Sequence, residues 1–234
     1  VTLFDRIEYR MRIEKLRVGP FELEMEVLAN LDETIDQVFR ILENEGHPEL
    51  LEKLCPYFGV IWPAGLGMAR WMAEVAHSQL EGKTVLELGC GLALPSLVAS
   101  KRGARVTAAD FHPEVPRFLE ANRRRVGAPV EYLEADWMSS DSTSLGERRF
   151  DWVLASDVLY ERHYPEAVAR AFHRHAAEGA TLILTDPGRP VLQAFHDASK
   201  ALGMEFQTRI ISVPEGKTAR DIFILESQFS RARD

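Results

Sequence analysis

Five consecutive residues, Glu87-Leu88-Gly89-Cys90-Gly91, combine a carboxylate, two glycines and a thiol. Glycines spaced this way after an apolar run let a ligand approach the backbone closely, and they take up φ values that side chains resist. A helix beginning just beyond would present free amide groups at its start. Several nucleotides use such a turn, so the neighbouring residues decide between them. The dinucleotide fingerprint asks for a third glycine or an alanine where Leu94 stands. Glu87, two residues before the first glycine, would set its charge against a pyrophosphate. A carboxylate in that place suits a cationic, amine-bearing ligand.

Further carboxylates and aromatic rings fall at the ends of later apolar runs. They are Asp110-Phe111, Asp136-Trp137, and Ser156-Asp157 with Tyr160 three residues on. The seven histidines invite a metal reading, but His173 and His175 stand two apart on an expected helix and point to different faces. No Cys/His cluster has ligand spacing, so no metal is expected. Two cysteines, Cys55 and Cys90, cannot build a disulfide framework and read as reduced thiols of a cytoplasmic protein.

Val85-Leu86-Glu87-Leu88-Gly89-Cys90-Gly91 resembles the first motif of the class I, seven-strand methyltransferases, which bind S-adenosyl-L-methionine. That ligand carries a sulfonium and an α-amino group. The resemblance implies that Glu87, Gly89, Cys90 and Gly91 form its turn, that Asp110 binds the ribose hydroxyls, and that Phe111 lies near the adenine. It also implies that Asp136 and Trp137 contact the adenine amino group and ring. Ser156-Asp157-Val158-Leu159-Tyr160 is similar to the Asp-x-x-Tyr signature of the lysine-methyltransferase-like branch, methyltransferase family 16. Tyr57-Phe58-Gly59-Val60-Ile61-Trp62-Pro63-Ala64-Gly65 resembles the Trp and glycine-containing stretch that precedes the donor site in that branch. The likeness runs from about Tyr57 to Leu225.

It implies transfer of a methyl group to a nitrogen, a protein lysine side chain first of all. A lysine amine has a free pKa of about 10.4 and must lose its proton before it attacks; a narrow apolar channel disfavours the ammonium form. Asp157 and Tyr160 are the expected catalytic pair: Asp157 orients the amine or the donor, and Tyr160 walls the channel with a hydroxyl or π-face. Ser156 and Trp62 join the donor site, with Trp62 as its cover. Alternative places remain for each: Asp157 as a helix cap, Tyr160 as core, Trp62 as packing. A small-molecule N- or O-methyltransferase and a non-catalytic donor-binding module are the alternative functions, and a nicotinamide dehydrogenase fits least well.

These residues need a frame. Phe21, Leu23, Met25 and Val27 alternate with Glu22, Glu24 and Glu26, which predicts a half-buried strand. Val18-Gly19-Pro20 makes it a hairpin with the preceding basic strand, whose Arg12, Lys15 and Arg17 can face the glutamates. A helix follows, capped by Asp32 or Thr34, with Ile35, Val38, Phe39 and Leu42 as its apolar stripe and Gly46 as its end. A short helix over 48–54 leads to Pro56. From Val60 onward helices and strands alternate. Helices are expected over 64–76, up to 102, 113–125, 165–177 and 190–202, and strands over 84–88, 105–109, 130–133, 150–155 and 180–185. The final stretches 206–213 and 221–225 should pair antiparallel across Pro214-Glu215-Gly216-Lys217. The fold class is therefore α/β: a Rossmann-like, seven-stranded, mostly parallel sheet with an antiparallel last strand and helices on both faces. Residues 1–55 read as an N-terminal hairpin and helix accessory segment, and 56–234 as the methyltransferase domain.

The chain of 234 residues is 46% hydrophobic and 27% charged, with a net charge of −8. That profile is globular, and no apolar run is long enough to span a membrane. The opening residues, 1–17, are too charged for a secretory signal. The acidic balance speaks against a nucleic-acid partner; Arg123-Arg124-Arg125 reads as a solvated helix end.

Overall fold

The computed structural model describes residues 3–138, 144–216 and 218–230. It opens with the expected hairpin, strands β1 (Met11–Val18) and β2 (Phe21–Leu28), paired antiparallel. Leu23, Met25 and Val27 are buried, and Lys15 meets Glu24 across the ladder at 3.2 Å. Arg12 departs from expectation: its register partner is Val27, and its guanidinium pairs with Glu14 on its own strand.

Helix α1 (Leu31–Asn44) is capped by Asn30, whose Oδ1 accepts the Glu33 N–H at 3.2 Å. Asp32 and Thr34 were the expected caps. Both lie inside the helix instead, and Thr34 returns its hydroxyl to the Asn30 carbonyl. The buried stripe is Thr34, Val38 and Leu42; Phe39 is exposed, because the helix meets the body along a narrower face than the sequence pattern suggests. Gly46, with φ +79°, follows the helix end.

After the short α2 (Leu51–Leu54) come α3 (Pro63–Glu74) and a brief helix that the pattern does not announce, α4 (His77–Leu80). The alternating body then runs β3 (Thr84–Leu88), α5 (Leu94–Lys101), β4 (Arg105–Asp110), α6 (Val115–Val126), β5 (Glu131–Glu134), β6 (Phe150–Ser156), α7 (Tyr164–His175), β7 (Ala176–Asp186), α8 (Leu192–Ala201), β8 (Gln207–Glu215) and β9 (Thr218–Gln228). Strand β7 starts four residues before the expected Ala180, so α7 stops at His175. Pro214 and Glu215 belong to strand β8 and not to the turn.

The seven strands order as β5-β4-β3-β6-β7-β9-β8, and β9 runs antiparallel to both its neighbours. Period-two alternation divides the strand side chains between two cores. Val85, Val106, Ala108, Trp152 and Leu154 join α3, α5, α6 and the hairpin on one face. Leu86, Leu88, Ala109, Val153 and Ala155 join α7 and α8 on the other. A strand covered on both sides reads as a largely apolar run, as Thr84–Leu88, broken beyond Thr84 only by Glu87, and residues 152–155 do. Arg123 and Arg124 both pair with Glu120, and Arg125 reaches Glu26 at 3.4 Å, so the arginine run is a paired helix end. No described helix is long and apolar enough to cross a membrane.

From β3 the chain moves to β4 and β5 on one side, then crosses to β6 on the other. Connections that leave in opposite directions open a crevice at the carboxyl ends of the strands.

Candidate active site

A cleft of about 800 Å³, measured out to its open mouth, occupies that crevice. The turn after β3 forms its floor. Gly89 and Gly91 have φ of +66° and +49°. A Cβ on Gly89 would come within 2.8 Å of Val158 Cγ1 and 2.9 Å of the Trp137 ring, and one on Gly91 within 3.2 Å of the Phe58 carbonyl oxygen. Both glycines thus answer two demands, backbone conformation and close packing of the walls.

Asp110 locks this turn to the next strand. Its Oδ2 accepts the Gly91 N–H at 2.9 Å, and its Oδ1 accepts the His112 N–H at 3.0 Å. Burial pushes its carboxyl up, while the amides of His112, Gly91 and Phe111 pull it back. With three amides on about four lone-pair sites, the carboxylate keeps one lone pair free.

Glu87 sits below the turn and does not line the cleft. It is fully buried, and its Oε2 accepts both the N–H and the hydroxyl of Ser96, at 3.0 and 2.5 Å. Those bonds join β3 to the first turn of α5. Its Oε1 has no protein partner, and burial pushes its carboxyl up to about 8.

The cleft brings together Trp62, Gly89, Cys90, Gly91, Asp110, Phe111, Trp137, Ser156, Asp157 and Tyr160. Glu87 and Asp136 are the expected site residues outside its lining. Asp136 is exposed and uses Oδ1 to accept the Met138 N–H at 2.8 Å. Trp137 turns inward; its Nε1 is buried without a protein partner.

The mouth is aromatic. Tyr57, Trp62 and Tyr160 stay 42%, 36% and 37% exposed, although their rings touch. The Trp62 indole N–H donates to the Tyr57 carbonyl at 2.8 Å, which fixes the ring at the cleft edge. Tyr160 packs edge-on to Tyr164 at 4.9 Å, and Tyr164 meets Trp137 at 6.1 Å. Burial pushes the Tyr160 phenol up, so it stays protonated. Carboxylates bear on this rim: Glu161 acts on Tyr57, Tyr160 and Tyr164, and Glu52 and Asp136 act on Tyr164.

Asp157, at the end of β6, has φ +62°. Its carboxylate is bound by the guanidinium of Arg189. Burial pushes the Asp157 carboxyl up, Arg189 draws it down, Asp186 raises it and the Ala64 amide lowers it.

Residues 65–223 match the family model described as a methyltransferase domain. The chain belongs to that family. This methyltransferase domain is 34% identical over 141 residues to the histone-arginine methyltransferase METTL23 of Xenopus laevis, covering 54% of this chain and 58% of that protein. It is 32% identical over 136 residues to the protein-lysine methyltransferase METTL21E of Bos taurus, covering 55% of this chain and 46% of that one. The chain spans about half the length of the curated relatives it matches. Among solved structures, the T. thermophilus 16S rRNA N2 G1207 methyltransferase RsmC superposes with a TM-score of 0.58 at 19% identity, over 94% of this chain and 51% of that chain. Fibrillarin of Aeropyrum pernix gives 0.53 at 15% identity, over 68% and 73%. The fold is thus that of the class I methyltransferases.

Tyr57, Cys55, His112 and Arg189 were not among the expected site residues. Tyr57 stands in the quoted motif around Trp62, so its signal was present. Arg189 carries a weaker one, the run Thr185-Asp186-Pro187-Gly188-Arg189 at a strand end beside β6. Nothing local marks His112, whose ring packs 4.3 Å from Phe58 and whose Nε2 lies 3.3 Å from the Leu54 carbonyl.

Proposed function

We propose that the chain transfers a methyl group from S-adenosyl-L-methionine to a protein nitrogen, a lysine side chain first of all. The observation that carries the reading is one cleft with two unlike sides. Asp110, at the end of β4, and Asp157, after β6, line it on either side of the glycine turn that follows β3. The residues fit such a donor. Asp110 retains a lone pair for a ribose hydroxyl, and the Trp137 indole N–H is buried and unused. On this reading Gly89, Cys90 and Gly91 present backbone to the donor, and Phe111 and Trp137 enclose the adenine. Asp136 contacts the adenine amino group from outside the present lining. Ser156 faces the donor from β6, and Trp62 covers it. Glu87 supports the turn from below.

Bound there, the donor supplies a methyl group already activated by its sulfonium. The chain's own residues then bind, align and exclude water. The exposed faces of Tyr57, Trp62 and Tyr160, with Glu161 bearing on Tyr57 and Tyr160, suit a cationic side chain drawn in from solvent. Deeper in the cleft the apolar walls favour the neutral amine. Asp157 then accepts a hydrogen from that amine and so directs its lone pair. The two relatives named above are, by name, enzymes of protein arginine and protein lysine. Two free, buried cysteines suit a reducing, cytoplasmic setting. Residues 1–55 serve as an accessory segment: β2 docks on α6, while Glu52, Lys53 and Cys55 close one side of the cleft.

The test is incubation with methyl-labelled donor and a cell lysate, followed by gel separation and mass analysis. The reading predicts label on protein lysine. Label confined to the low-mass fraction would contradict it and favour a small-molecule acceptor.

A further inference from the structure

Arg189 lies in the loop between β7 and α8. Its guanidinium joins two carboxylates: one amino group donates to Asp157 Oδ1, the other to Asp186 Oδ2 at 2.8 Å. The Asp186 side chain is fully buried, and its Oδ1 accepts the N–H groups of Gly188 and Arg189 at 2.8 and 2.7 Å. The loop is thereby wrapped around Asp186, which aims the guanidinium. Asp157 is held through its backbone as well, since its N–H donates to the Thr185 carbonyl at 2.9 Å. Thr185 in turn donates its hydroxyl to the Ala64 carbonyl at 2.9 Å, which joins β7 to the start of α3.

We propose that Arg189 is the positioning residue for Asp157, fixing its carboxylate as an anion in one orientation on the cleft wall. Asp157 then orients the acceptor nitrogen and does not take its proton. The inference rests on reading the chain as a methyltransferase. A neutral amine has one lone pair and two hydrogens, so a fixed anion that accepts one hydrogen also sets where the lone pair points. The pair moves into the new N–C bond as the S–C bond breaks, and the proton leaves the product ammonium to solvent.

The groups that bear on the Asp157 carboxylate are Arg189 and Asp186 from the β7 end, and the Ala64 N–H from α3. Without the guanidinium, burial and the neighbouring Asp186 still raise the Asp157 carboxyl and nothing cationic draws it down, so Asp157 takes a proton more readily. A protonated Asp157 loses the charge that holds the amine.

The variants are Arg189→Gln, Arg189→Lys and Asp186→Asn. Methyl transfer by each is measured from pH 6 to pH 9 and divided by the wild-type rate at the same pH, which cancels the titration of the acceptor. The Arg189→Gln ratio should fall with pH, by about tenfold per unit below the new Asp157 value. Arg189→Lys, which keeps a cation, should restore a flat ratio. A second readout needs no donor: NMR titration of the aspartate carboxyl carbons. Arg189→Gln should move one resonance up by about 1–3 pH units, and adding Asp157→Asn should remove that resonance. Asp186→Asn, which keeps the guanidinium, should move it down, so the test survives if Arg189→Gln does not fold. A flat Arg189→Gln ratio with unmoved resonances would overturn the inference. Wild-type protein that transfers nothing, with the carboxyl shifts as expected, would sink the proposed function and leave the Asp157–Arg189 clamp standing.

Discussion

Asp110 locks the glycine turn and also lines the cleft. An amide in its place can accept from one of the two backbone N–H groups but turns its NH₂ toward the other. Asp110→Asn should therefore weaken donor binding by about ten- to a hundredfold, the size of a lost charge-assisted hydrogen bond; isothermal calorimetry reads this directly. Gly89→Ala adds a left-handed penalty to a contact with Val158 and Trp137. It should cost about 1–3 kcal/mol in denaturant unfolding and should loosen the Trp137 wall. Glu87 gives a pH signature. Its carboxyl holds a proton up to about 8 in the folded chain, against an ordinary value of 4.5. The unfolded chain releases that proton first, so stability is full below about 4.5 and is lost as pH rises toward 8. Glu87→Gln removes this dependence. The melting temperature of the variant relative to wild type should climb between pH 5 and pH 8, and a constant difference across that window would contradict the buried, protonated state. The glycines and strand-end acids were legible in the residues themselves. The direction of the Glu87 side chain was not, because a strand pattern tells which face a residue takes but not whether a helix start such as Ser96 claims its carboxylate.

At the scale of elements, the hairpin is held to the body by a side chain that imitates a strand. Asn122, fully buried on α6, accepts the Glu26 N–H at 2.7 Å and donates to the Glu26 carbonyl at 3.0 Å. Asn122→Ala leaves both backbone groups without their partner and should cost about 1–3 kcal/mol. Hydrogen exchange should quicken along β2. Undiminished protection of β2 would show that apolar packing alone holds the hairpin. The elements were legible where period and punctuation agree: Thr84–Leu88 is apolar on both faces but for Thr84 and Glu87, and Phe21–Leu28 alternates without a break. They blurred where two local signals compete. Asn30, Asp32 and Thr34 can all cap α1, and the chain chooses the one whose carbonyl the Thr34 hydroxyl also needs. The Asp157–Arg189 pair joins residues 32 apart, and no local pattern encodes such a contact.

At the scale of the molecule, the strand order places β3, β4 and β6 side by side, so that their carboxyl ends bring Gly89, Asp110 and Asp157 into one cleft although they lie far apart in sequence. The order of motifs along the chain made this fold readable, because each strand-end residue fell on the strand that a doubly wound sheet sets beside the last. The acceptor was less readable, since one fold carries many substrates and only the rim distinguishes them. The central claim is that this crevice takes a cationic nucleoside donor and not a dinucleotide. Isothermal titration of the protein with S-adenosyl-L-methionine, and separately with NAD, tests it most directly. Saturable, one-to-one heat with the first and none with the second is the predicted result; no binding of S-adenosyl-L-methionine, or equal binding of NAD, would contradict it.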